Sequence, residues 1–191
     1  LSPNATLTAD KLVEGSNNGA KMFYNNNFAV TSGTASLSIY AKKGERSQIR
    51  IDDGVTGNGI IADLTDGSYT LLSSATGGVQ YINDGWYHIY FSYSVSSFIQ
   101  SRLYIYNNNE ISYQGDGTSG LYVWGFQQEV GSYATSYIPT SGQANGVTRV
   151  ADSSSQTPPD GVIGQTEGTI YADVNINGLK NDNTLISVNN G

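Results

Sequence analysis

The sequence has no cysteine, and only one histidine, one methionine and four prolines in 191 residues. Without thiols it builds neither disulfides nor thiolate metal sites. That leaves the compartment open, because a protein assembled in a reducing cytoplasm and used outside the cell also does without them. Charge is scarce too: Asp, Glu, Lys and Arg make up 13%, about half the usual share. What charge there is leaves a net −7. Phosphate recognition needs clustered Lys and Arg, so nucleic acid is not an expected partner. An anionic membrane surface is disfavoured for the same reason. No run approaches the roughly 20 apolar residues of a membrane span, and no signal-peptide pattern is present, so membrane insertion is not expected. The chain opens on Leu1 rather than Met, and it is expected to be processed or a piece of something longer.

What is abundant is glycine, with 23 residues, and tyrosine, with 14, among many Ser, Thr and Asn. Small polar residues suit turns, and Tyr and Thr suit half-buried pleated faces. The residues of long helices (Ala, Leu, Glu, Lys) are sparse. Hydrophobic residues at 38% suffice for a buried core. The composition is that of an all-β protein.

Period-two alternation places the strands. In Ala35–Ala41, Leu37, Ile39 and Ala41 share one face, and Ser36, Ser38 and Tyr40 the other. Gln48–Asp52 alternates after the Lys42–Glu45 turn, and Asp52-Asp53-Gly54 closes it with hairpin chemistry. Short strands are expected at Gly59–Leu64 and Tyr69–Ser73. The strongest runs from Trp86 to Val95, with Tyr87, Ile89, Phe91, Tyr93 and Val95 inward and His88, Tyr90, Ser92 and Ser94 outward. Arg102–Tyr106 and Tyr122–Phe126 follow, and Leu1–Val13 holds one early strand. Asn17-Asn18-Gly19 and Asn25-Asn26-Asn27 read as turn or loop punctuation. About eight short strands between Gly, Asn and Asp turns signify an antiparallel sandwich or barrel.

The segment Leu121–Asp152 carries a resemblance. It runs through Tyr122-Val123-Trp124-Gly125 to Gln127-Gln128-Glu129, then Gly131, Ala134-Thr135-Ser136-Tyr137-Ile138-Pro139-Thr140 and Thr148-Arg149-Val150-Ala151-Asp152. This order resembles the closing segment of a jelly-roll module of bacteriophage tail, fibre and other virion surface proteins. The module is similar to the non-catalytic carbohydrate-binding modules of secreted polysaccharide-degrading enzymes. Gln128 departs from the Leu frequent there. Thr8–Glu14 and the Trp86-Tyr87 pair resemble the same pattern. In that family a strand or two precede Thr8, so the chain is expected to start inside the module. The resemblance implies a jelly-roll β-sandwich over residues 1–152, and it reads the Ala134–Thr140 block as a clasp on that sandwich.

Residues 153–166, rich in Ser, Pro and Gly, have linker composition. Beyond them, Gly168–Ile176 and Thr184–Val188 alternate as strands. The Glu167–Tyr171 opening resembles the start of a concanavalin-like (laminin-G-type) lectin domain. Two strands are too few to stand alone. Residues 167–191 are therefore either the start of such a domain, strands added to the first module or a neighbouring subunit, or an ordered tail.

No catalytic signature emerges, and the chain is not expected to be an enzyme. Glycan hydrolysis needs two carboxyl groups across the scissile bond. Asp52 and Asp53 are adjacent and point to opposite faces of a strand, and the turn acids are expected to be solvated. A hydrolytic triad would have to use His88, and no Gly-x-Ser-x-Gly elbow is present. No cofactor is expected. Jelly rolls of this kind often hold one Ca²⁺, and Asp52-Asp53-Gly54 and Asn181-Asp182-Asn183 offer oxygen ligands, but turn chemistry accounts for both without metal.

Sugar recognition asks for flat aromatic rings flanked by hydrogen-bonding groups. The outward set Tyr40, Gln48, Arg50, His88, Tyr90, Arg102, Tyr104 and Tyr106 supplies both kinds. The competing readings are cross-strand packing and a subunit interface. Trp86 and Trp124 are expected to fill the core or a rim between sheets. The expectation is a virion surface module, in a tail fibre, head fibre or decoration protein, that displays structure and attaches to host surface glycan. Its other partners would be virion proteins and copies of itself, with a trimer favoured because closed rotational assembly removes sheet edges. The alternative is the carbohydrate-binding module of a secreted bacterial enzyme.

Overall fold

The computed structural model describes residues 1–29, 32–96, 98–140, 142–143 and 146–148. Among these no helix occurs, and twelve strands follow one another along the chain. They are β1 (Asp10–Val13), β2 (Asn18–Ala20), β3 (Met22–Ala29), β4 (Gly33–Lys42), β5 (Gln48–Asp52) and β6 (Gly59–Asp63), then β7 (Tyr69–Leu72), β8 (Thr76–Asn83), β9 (Trp86–Val95), β10 (Phe98–Tyr106), β11 (Ser112–Gln114) and β12 (Gly120–Val130).

Every pairing is antiparallel. One sheet has the order β1-β12-β4-β9-β8, the other β3-β10-β5-β6-β7, and β2 and β11 make a separate pair. The chain alternates between the sheets: β3 to β4, β4 to β5, β9 to β10 and β10 to β12 each cross over. First and last strands lie side by side, which is the jelly-roll arrangement of an antiparallel sandwich. We call the sheet containing β4 and β9 the front sheet and the other the back sheet.

The core lies between them and follows the alternation of the sequence. Leu37, Ile39, Ala41, Ile89 and Phe91 of the front sheet meet Ile49, Ile51, Ile60, Ala62 and Ile105 of the back sheet, all nearly inaccessible. Each fully buried Ile, Leu or Phe contributes about 1.5–3 kcal/mol. A register slip by one residue would turn this whole set to water, so the pairing is strongly specified.

Two strands run through stretches that read as turns. β3 passes through Asn25-Asn26-Asn27, and β2 through Asn18-Gly19. Partner strands β10 and β11 supply the ladder that local propensity does not. β8 contains Gly77-Gly78, and here glycine is required by packing rather than turning. A Cβ on Gly77 would lie 2.2 Å from the Tyr90 carbonyl oxygen.

The acidic turn also differs from expectation. Asp52 and Asp53 are buried, at 3% and 1% exposure, rather than solvated. Asp53 accepts from the backbone N–H groups of Val55, Thr56 and Gly57, and so holds the β5–β6 loop. Asp52 accepts from Gly54 N–H and from Arg50 Nε. The loop's own donors replace water, which makes burial of both carboxylates tolerable.

A second polar knot closes one end of the sandwich. Glu14, just past β1, has a fully buried carboxylate that accepts from Arg46 Nε at 2.8 Å and Nη2 at 2.7 Å. It also accepts from the Tyr113 hydroxyl at 2.6 Å and Asp116 N–H at 3.0 Å. The paired guanidinium holds the Glu14 carboxyl below its ordinary range. Burial and the same carboxylate push the Tyr113 hydroxyl up.

The first compact unit of the chain is Leu1–Val147. The linker 153–166, the strands expected over 167–191, the Asn181–Asn183 turn and all of the Thr148–Asp152 motif except Thr148 lie outside the described residues.

Candidate functional site

The outward face of the front sheet is a lattice set by register. Trp124 sits opposite Tyr40, Tyr40 opposite His88, and His88 opposite Gln80. Tyr90, two residues along β9, lies opposite Ser38 and Gly78. The rings touch in a chain. Tyr40 stacks on His88 at 4.5 Å between centroids, and His88 stacks on Tyr90 at 5.4 Å. Trp124 meets the edge of Tyr40 at 5.3 Å and Tyr137 at 4.6 Å.

A bulge creates the room for this. The β12–β4 register shifts between Trp124 and Gln127, and Gly125 within it adopts φ +62°. That left-handed conformation is costly for any residue with a Cβ. A Cβ there would also lie 3.2 Å from the Tyr40 ring and 3.3 Å from the Tyr137 ring. Gly125 thus lets both tyrosines close on Trp124.

After β12 the chain turns back over its own sheet. Gln127 reaches this returning strap, accepting from Ile138 N–H at 2.7 Å. The Glu129 carboxylate accepts from Thr135 N–H at 2.9 Å and its hydroxyl at 2.5 Å. Ser36 donates to the Tyr133 carbonyl at 3.1 Å. Ser36 and Ser38 are buried, at 1% and 3% exposure, although alternation turns them outward. The strap over these rows accounts for both their burial and their small size.

Residues 1–8 form the opposite wall. Asn4 Oδ1 ties the loop together through Ser2 and Thr6. Trp86 Nε1 donates to the Leu1 carbonyl, Asn83 Nδ2 to the Pro3 carbonyl, and Trp124 Nε1 to Thr8 Oγ1. Both tryptophans therefore stand on the outward face rather than between the sheets. Trp86 is sealed beneath the loop at 1% exposure, while Trp124 is half-buried.

Between loop and strap opens a cleft of ≈ 410 Å³. Its aromatic faces are Tyr40, Trp124 and Tyr137; Pro139, Pro3 and Ile82 add apolar edges, and Asn4 adds an amide. Because the Trp124 N–H is engaged by Thr8, that side chain presents ring surface alone. Past Tyr90, a smaller recess of ≈ 160 Å³ opens on the same face, between Thr76 and Ser92 on one side and Ser132 and Tyr133 on the other.

The expected site residues divide between opposite faces of the sandwich. Tyr40, His88 and Tyr90 belong to the front row. Gln48, Arg50, Arg102, Tyr104 and Tyr106 lie on the outward side of the back sheet. There Arg50 pairs with Asp52 at 2.7 Å and covers the Tyr104 ring at 5.4 Å, leaving Tyr104 only 4% exposed. Gln48 donates to Asp63 and Arg102 to Gln100. Gln48, Arg50, Arg102 and Tyr104 are thus engaged by neighbours on the same sheet.

Burial lowers the pKa of His88 from its ordinary value, with Glu129 opposing, and raises that of Tyr40. His88 Nε2 has no hydrogen-bond partner among the described residues. Also among them, no group of three or more His, Asp or Glu side chains is placed to hold a metal ion.

Trp124, Tyr137, Pro139 and Pro3 were not expected in the site. A glycine directly after an outward Trp is the sequence mark of the bulge. Nothing local marked the strap's return over the sheet. No protein-family model matches the chain, and a search of curated proteins finds no match.

Proposed function

We propose that this chain is a non-catalytic module that binds glycan through the front-sheet cleft. The observation that carries the reading is the cleft's composition: three aromatic rings meeting at an open recess, with an amide at its rim. Pyranose rings present flat C–H faces that pack on aromatic rings, while their hydroxyls seek hydrogen-bonding groups. The chemistry of a hydrolase is not needed for such a role, and neither is a cofactor.

On this reading, which the sequence resemblance of the segment from β12 to the strap supports, the module belongs to a virion surface, in a tail fibre, head fibre or decoration protein that attaches to host surface glycan. Other virion proteins and sister copies, in a trimer, are its partners on this reading. The carbohydrate-binding module of a secreted enzyme is the alternative, and the same cleft serves it equally. Light scattering of the purified chain separates the two, with a trimer favouring the fibre and a monomer the enzyme module.

Glycan-array screening of the wild type beside Trp124→Ala and Tyr137→Ala tests the binding itself. The expected result is binding by the wild type and at least tenfold loss in both variants, each still folded by circular dichroism. Binding unchanged by both substitutions would remove the cleft from the reading.

A further inference from the structure

We infer that the ligand of the front sheet is an uncharged oligosaccharide lying across both recesses, from the Trp124 cleft to the pocket beside Ser92. The inference rests on the glycan reading and adds to it the charge and extent of the ligand.

Charge comes first. Among the described residues, neither recess has a Lys, Arg, Asp or Glu in its lining. The charges bordering this face are engaged: Lys42 with Asp84 at 2.8 Å, and Glu129 with Thr135. The chain as a whole carries −7. A uronic or sialic acid carboxylate would find no cation among the described lining residues, would lose hydration and would meet the net negative charge of the chain. An uncharged sugar loses nothing by that absence, and its ring faces gain the aromatic surface.

Extent follows from the lattice. The Trp124–Tyr40–His88 row marks one end, and the row pairing Ser36 with Ser92 and Ser92 with Thr76 marks the other. Four residues of β9 separate His88 from Ser92, about 13 Å at ~3.3 Å per residue. A single pyranose ring does not span that distance. Between the ends lie the stacked, half-buried His88 and Tyr90 rings. The far pocket differs in kind, because beside Tyr90 and Tyr133 it has the hydroxyls of Ser132 and of Thr76 and Ser92, the last two hydrogen-bonded to each other at 2.9 Å. One end thus suits ring faces and the other suits sugar hydroxyls.

Isothermal titration with defined oligosaccharides tests this. The probes are uncharged gluco-, manno- and xylo-oligosaccharides of one to six residues, and oligogalacturonates of the same lengths. The expected result is an uncharged series whose affinity rises at least tenfold from disaccharide to tetrasaccharide, with the acidic series at least tenfold weaker. Ser132→Trp fills the far pocket from its exposed rim, and is expected to remove the gain of the tetrasaccharide while leaving disaccharide binding intact. Thermal melting verifies that the variant is folded. Equal affinity for disaccharide and tetrasaccharide, or equal affinity for the acidic series, would overturn the inference and leave the glycan reading standing. If none of the probes binds and the glycan array is also blank, the glycan reading falls and this inference with it.

Discussion

The indole Nε1 of Trp124 donates to Thr8 Oγ1 at 2.9 Å, joining the closing strand to a loop 116 residues earlier in the chain. The bond fixes the orientation of the ring and occupies its one polar atom. What remains toward the cleft is a flat apolar face between Tyr40 and Tyr137.

Trp124→Phe separates ring surface from hydrogen bond. It retains a flat face but leaves Thr8 without its donor, a net loss of about 1 kcal/mol. Urea denaturation is expected to register that loss, while glycan affinity stays within a fewfold of wild type. An affinity as poor as that of Trp124→Ala would show that the loop anchor, not the ring, controls binding.

Gly125→Ala addresses the bulge. A Cβ at φ +62° carries a cost of roughly 1–2 kcal/mol. It also meets both tyrosine rings, at 3.2 and 3.3 Å. The variant is expected to be less stable by at least that amount in chemical denaturation, and its Tyr40 and Tyr137 resonances are expected to shift. Wild-type stability would mean that the bulge relaxes to another register.

The Glu14–Arg46 pair sets an acid limit. The folded pKa of Glu14 lies below its ordinary value of 4.5, so its contribution is fully present above that value and fades as pH falls through the folded pKa. Glu14→Gln leaves Arg46 without its buried partner and is expected to cost roughly 3 kcal/mol at neutral pH. Its melting temperature is expected to decline less steeply than the wild type's below pH 4.5. Parallel profiles for the two proteins would refute the assignment.

His88 also loses stability on acidification, but for a different reason. Its folded pKa is below the ordinary 6.5 because burial disfavours the imidazolium. Stability is therefore complete above pH 6.5 and declines as the unfolded chain takes up a proton, until the folded pKa is reached. His88→Phe is expected to flatten melting temperature across that interval. As the only histidine, its imidazole resonance reads the folded pKa directly by NMR, and a value at or above 6.5 would contradict the burial.

The β5–β6 loop depends on one carboxylate. Asp53→Ala deprives the N–H groups of Val55, Thr56 and Gly57 of their acceptor. Leaving such donors unpaired costs about 1–3 kcal/mol each when they stay out of water. Lower stability and fast amide exchange at residues 55–57 are expected, against little change at Ile49 and Ile51. Protection unchanged at 55–57 would show that the loop holds without Asp53.

The alternating strands were legible because burial of one face imposes period two, and β4, β5, β9 and β10 all show it. β8 was not among the expected strands, because Gly77 and Gly78, against which the neighbouring strand packs, interrupt its apolar alternation. β3 was hidden by its three asparagines, whose ladder comes from β10. Alternation places a side chain on a face but does not say what covers that face. Hence Ser36 and Ser38 proved buried beneath the strap, and Tyr104 beneath Arg50.

By itself the sequence determined the class of fold. Its turn residues, its alternation and its sparse helix formers leave an antiparallel sandwich as the way to bury those Ile, Leu and Phe side chains. It also determined that the front and back strands would carry outward aromatics. Tertiary structure alone decided which aromatics meet. Tyr40, Trp124 and Tyr137 come from β4, β12 and the returning strap, and only the register of a closed jelly roll with a bulge at Gly125 brings them to one cleft. Such a site depends on contacts between distant segments, and no local pattern along a chain encodes the loop at Thr8 that completes it.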